Sequence, residues 1–148
     1  MKPLSLALIL CLGTAAAVEA QPLTCRSWQG MEVPYLGDAT LKTVGGATMN
    51  ARGRAVILLN PEILSTFPEP ARDFFLAHEC GHHALIPDYN TEAEADCFAM
   101  RLLRKKKLRT PEQVTALQDA LTTLPDTAWA GHRPDAERIE ALAHCPAE

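Results

Sequence analysis

The sequence predicts an α+β fold, a small N-terminal β-sheet packed on a mostly helical remainder. Three observations carry this reading. Turn residues crowd positions 21–53, with Gly45-Gly46 and Asn50-Ala51-Arg52-Gly53 as turn signals and short strand candidates around them. One uninterrupted apolar run, Ala55-Val56-Ile57-Leu58-Leu59, is stopped by Asn60-Pro61 as a strand would be. Beyond it, apolar residues recur at three- and four-residue spacing, the period of helices with one buried face.

The helices follow in order. Pro70 suits a first turn, and Phe74, Phe75, Ala77, Gly81 and Leu85 form one face, which Ile86-Pro87 ends. Thr91 and Glu94 have capping-box spacing and open a second helix to about Lys107, with Ala95, Phe98, Ala99, Leu102 and Leu103 as its buried stripe. Thr110-Pro111-Glu112-Gln113 combines an N-cap, a first-turn proline and a box partner, and starts a third helix to about Thr123. A short last helix covers Asp135 to Ala143. The run Arg104-Lys105-Lys106-Lys107-Leu108-Arg109 reads as a solvated helix end whose cations oppose the negative pole of the helix dipole.

At 148 residues and 47% hydrophobic, the chain has the composition of one small globular domain rather than a disordered or fibrous protein. Its formal charge of −4 makes nucleic acid an unsuitable partner, because a polyanion needs a cationic surface. Residues 1–20 read as a secretory signal peptide: Met1-Lys2, an apolar run from Leu4 to Leu12, then small residues ending Val18-Glu19-Ala20. The run is shorter than the roughly 20 apolar residues of a membrane span. No stable membrane insertion is expected after cleavage, and residues 21–148 form a single domain.

That cut removes Cys11 and leaves Cys25, Cys80, Cys97 and Cys145, an even number in an exported chain, hence two disulfides. Four cysteines allow three pairings. The expected one is Cys25–Cys145, tying the domain ends, with Cys80–Cys97 tying neighbouring helices. No Cys-x-x-Cys pair exists to favour a cysteine zinc site.

The chemistry sits in His78-Glu79-Cys80-Gly81-His82. Helical residues four apart share a face, so both imidazoles can point at one Zn²⁺. Glu79, offset by one residue, is no natural ligand but lies where a carboxylate could act as the base for a zinc-bound water. A catalytic zinc needs a third protein ligand. Downstream, Glu92 and Asp96 share a face of the second helix; Glu92 is the expected ligand, and Asp96 the acceptor that fixes the tautomer of a ligating imidazole. Glu94 has its place in the capping box. His83 faces about 100° away from His82 and is not expected to ligate. His144 has no evident partner.

His-Glu-x-x-His followed by Glu-x-x-x-Asp on a later helix resembles the gluzincin zinc metallopeptidases. The local wording is similar to bacterial metallopeptidases related to the CAAX-prenyl-protease group. Those carry a later His-Pro segment with an arginine six residues on, and His132 and Arg138 match that spacing with the proline displaced to Pro134. The resemblance covers residues 70–142. It implies a minimal gluzincin-like core, an oxyanion-stabilising role for His132 and an orienting role for Arg138. The chain departs from the family in placing nine residues between His82 and Glu92, and in lacking the prenyl-protease membrane helices.

The expected protein is thus an exported hydrolase, a metalloprotease holding one zinc per chain and acting on a peptide or protein substrate. Periplasm is preferred to secretion, and the oligomeric state is left open. The alternative is a zinc-binding periplasmic or interaction module without turnover. Strand 55–59 is the expected edge for pairing with an extended peptide.

Overall fold

A central strand organises the sheet in a computed structural model that describes residues 23–125, 129 and 132–147. Residues 1–20, expected from sequence to be a signal peptide, lie outside the described residues. Strands β3 (Tyr35–Gly37), β4 (Gly45–Met49) and β5 (Ala55–Leu59) form one sheet in the order β3-β5-β4. β5 runs parallel to β3 (Tyr35 opposite Ile57) and antiparallel to β4 (Ala47 opposite Ile57). A separate ribbon of β1 (Cys25–Arg26) and β2 (Glu32–Val33) precedes it.

This order corrects the expected edge. β5 carries neighbours on both sides, so it has no ladder left for a peptide. Its unbroken apolar run, without polar alternation, is what a central strand covered on both faces requires. The open edge adjoining the site belongs to β4. Asn60 N–H donates to Val44 C=O and Asn50 N–H to Arg54 C=O, so the even residues of this stretch bond β5. Gly45, Ala47 and Met49 therefore turn their N–H and C=O groups outward.

The helices are α1 (Pro61–Ser65), α2 (Glu69–Ala84), α3 (Glu92–Lys106), α4 (Pro111–Thr123) and α5 (Ala136–Ala141), with 3₁₀ turns at Pro87–Tyr89 and Leu142–His144. The four longer ones match the sequence pattern within a few residues. α1 is not predicted by it; the Asn60-Pro61 pair that stops β5 also starts this helix, Asn60 accepting from the N–H groups of Glu62 and Ile63. Thr91 caps α3 by accepting from Glu94 N–H at 3.2 Å, and the full reciprocal box forms at Thr110 and Gln113.

The main core gathers Phe67, Phe74, Phe75, Met100, Leu103, Leu117, Leu121, Trp129 and Leu142 between the helices. α2 and α3 form a tight hairpin whose contact is Gly81 against Ala95. A Cβ on Gly81 would stand 3.1 Å from Ala95 Cα and 3.2 Å from the Phe98 ring, so glycine there sets the approach of the two helices. Arg104 donates to the carbonyls of Leu142, Ala143 and Cys145, and Lys107 pairs with Glu69 and Asp73. Part of the basic run thus ties the helix end to the fold instead of facing solvent alone.

The disulfides are Cys25–Cys80 and Cys97–Cys145, not the expected pairing. The reason lies in the faces of the hairpin. Gly81 and Ala95 occupy the seam between α2 and α3, while Cys80 turns into a small cluster with Cys25, Val33 and Ile57. Cys97 turns the other way, to the chain end at Cys145. One bridge therefore pins the β1–β2 ribbon to α2, and the other pins the C-terminus to α3. Two disulfides fit an oxidising compartment. No helix among the described residues is long and apolar enough to cross a membrane.

Candidate metal centre

His78 and His82 project from one face of α2, one turn apart, and Glu92 reaches them from the first turn of α3. Their Nε2 atoms lie 3.1 Å apart. Glu92 Oε2 is 3.4 Å from His78 Nε2, and Oε1 is 3.4 Å from His82 Nε2. One donor atom from each of the three lies within 4.8 Å of the others.

The surroundings fix which nitrogens face this point. His78, fully buried, donates from Nδ1 to Asp96 Oδ1 at 2.9 Å. His82 Nδ1 lies 2.8 Å from Asn90 Oδ1, and Asn90 Nδ2 donates to the His82 carbonyl at 3.1 Å. A carbonyl only accepts, so the amide orientation is set and His82 Nδ1 must be the donor. Both Nε2 atoms of the neutral rings then present lone pairs to each other and to a carboxylate. Such a cluster is unfavourable without a cation or a proton at its centre. Two imidazoles and a carboxylate suit zinc in donor type and in number for a site that keeps a position open.

Asp96 is itself buried, and Arg138 grips it from α5: Nε to Oδ2 at 2.7 Å and Nη2 to Oδ1 at 2.9 Å. The same guanidinium reaches Glu92 Oε2 at 3.2 Å. His132 Nδ1 lies 3.1 Å from Glu92 Oε1. The His78 imidazole beside it holds the Glu92 carboxyl down at about 2, against its partial burial and with help from His132. For His78, burial disfavours the imidazolium, but Asp96, Glu92 and Glu79 together outweigh it and push the ring up to about 9. Without a metal ion, then, His78 carries a proton at neutral pH.

Glu79 stands outside the ligand group and against the sheet. It is buried, and its Oε2 accepts the outward N–H of Ala47 at 2.7 Å. Gly46 passes so near that a Cβ there would lie 3.4 Å from the same oxygen. A cleft of about 580 Å³ opens over Glu79, His82 and His132, with β4 on one side. His78, His82, Glu92, Asp96, His132 and Arg138 are joined in one polar cluster, of which His82 and His132 line the cleft beside Glu79. His83 lies on the cleft wall outside the ligand group, its Nε2 3.0 Å from the Val56 carbonyl.

Two participants escape the sequence reading. Asn90 belongs to no motif, and its only sequence signal is an amide at the end of the short connector before Glu92. Ala47 contributes through its backbone, which leaves no side-chain signature at all.

No family model, no curated protein and no solved structure matches the chain.

Proposed function

We propose that the chain is an exported zinc-dependent peptidase with a gluzincin-like centre, acting in the periplasm or outside the cell. The observation that supports this most is the convergence of His78 Nε2, His82 Nε2 and the Glu92 carboxylate, with a second carboxylate, Glu79, beside them in an open cleft. His78, His82 and Glu92 would hold one zinc ion. Bound there, zinc would lower the pKa of a water toward about 7 and polarise a carbonyl.

The chain's own residues supply the rest. Glu79 takes the proton of the attacking water as its oxygen bonds to the scissile carbonyl carbon, then returns that proton to the nitrogen as the C–N bond breaks. His132, at the cleft mouth, donates to the developing oxyanion. Arg138 holds Asp96 and Glu92 together, Asp96 keeps the proton of neutral His78 on Nδ1, and Asn90 does the same for His82. The outward groups of β4 can pair with an extended substrate, the role expected from sequence for β5.

Cleavage of a casein or mixed-peptide substrate by the zinc-loaded protein, compared with Glu79→Gln, tests the reading. Cleavage that disappears in Glu79→Gln while zinc is retained supports a peptidase. Zinc bound equally by both proteins, with no cleavage by either, supports a binding module instead.

A further inference from the structure

Among the described residues six large apolar side chains stand exposed, and three of them line the cleft of the candidate metal centre: Trp28 at 52%, Met31 at 55% and Met49 at 62% exposure. Trp28 and Met31 sit on the turn between β1 and β2, and Met49 ends the free-edge strand β4. The turn is held firmly. Trp28 N–H donates to the His83 carbonyl at 2.8 Å, at the end of α2, and Ser27 N–H donates to Met31 C=O at 2.8 Å. The Cys25–Cys80 bridge fixes its base to the residue next to Glu79. Apolar surface on a rigid wall, beside outward backbone groups, has the form of a side-chain pocket next to a strand-pairing edge.

We propose that Trp28, Met31 and Met49 form a subsite that takes a bulky apolar side chain of an extended peptide lying along β4. This rests on the reading of the cleft as a peptide site and adds its specificity. The cleft volume, about 580 Å³, falls within the roughly 300–1,000 Å³ of sites that enclose a compact ligand. The occupant pairs its backbone with the outward groups of β4 other than the Ala47 N–H, which Glu79 holds, and buries one aromatic or branched aliphatic side chain against the turn. Covering such a side chain favours it over a polar one by roughly tenfold or more.

The test uses zinc-loaded Glu79→Gln, so that binding is read without turnover, and matched hexapeptides carrying Phe, Leu, Ser or Asp at successive positions. Trp28 reports directly, because the other tryptophan, Trp129, is buried. The expected result is at least tenfold tighter binding of the Phe and Leu peptides, with a shift of Trp28 emission to shorter wavelength. The preference should shrink severalfold in a Met31→Ser, Met49→Ser variant of unchanged circular dichroism and zinc content. Equal binding of all four peptides, no binding, an unmoved Trp28 emission, or an unchanged preference in the variant overturns the subsite. Parallel cleavage assays on the wild-type protein separate the two readings. Apolar preference in binding without cleavage keeps the subsite and removes the peptidase, whereas cleavage without apolar preference does the reverse.

Discussion

Arg138 grips Asp96 with two hydrogen bonds of 2.7 and 2.9 Å across 42 residues of sequence, and so anchors α5 to the ligand-bearing helices. Asp96 passes that constraint to His78 through Nδ1. Replacing Arg138 with Ala leaves Asp96 buried without its cation and Glu92 without one of its donors. Zinc affinity should fall roughly 10- to 100-fold, as when other residues that orient metal ligands are lost. Competition against a chromophoric chelator measures this, and Arg138→Lys should recover only part, because an ammonium cannot reproduce the fork.

The proton on His78 gives zinc binding a pH dependence. With the metal-free ring at about 9, the metal must displace a proton at any lower pH. Apparent affinity should therefore rise up to about tenfold per pH unit and flatten above about 9. Calorimetry at pH 7.5 in two buffers of different ionisation heat should report about one proton released per zinc from this ring.

The same two shifts act on folding of the metal-free chain. His78 is raised from 6.5, so its contribution is complete below 6.5 and lost as pH rises through about 9. Glu92 is lowered from 4.5, so its contribution is complete above 4.5 and lost as pH falls toward about 2. Between pH 4.5 and 6.5 both are present, and the melting temperature of chelator-treated protein should be highest there.

Gly46 borders the seat of Glu79. A Val at this position puts further methyls where even a Cβ stands 3.4 Å from the Glu79 carboxylate. Turnover should drop roughly a hundredfold from misplacement of the base, while zinc content stays unchanged.

Proteolytic mapping of the unreduced protein should recover Cys25 with Cys80 and Cys97 with Cys145. Replacing either pair by serine opens a loop spanning 55 or 48 residues and should lower stability by roughly 3–4 kcal/mol, read from the denaturant midpoint.

The candidate metal-binding group was legible because helical spacing pairs its residues on shared faces. His78 and His82 are one turn apart, and so are Glu92 and Asp96, so each pair had to share a face whatever the tertiary packing. Strand 55–59 and the caps at Thr91 and Thr110 were legible for the same local reason. The disulfide pairing was not, because it depends on which faces of α2 and α3 meet, and Gly81 with Ala95 decided that. The place of β5 at the sheet centre was equally non-local: its partners are strands of three and five residues, too short to carry a periodic signal. Asn90 acts through two hydrogen bonds to His82 and the Ala47 amide through one to Glu79, which no residue pattern announces.

In the proposed centre His78, His82 and Glu92 hold one zinc ion. Elemental analysis of the purified protein after zinc loading and exhaustive dialysis, wild type beside His78→Ala, tests it most directly. About one zinc per wild-type chain and next to none in the variant is the predicted result. A folded wild-type protein that retains no zinc, or a variant that retains as much, would contradict it.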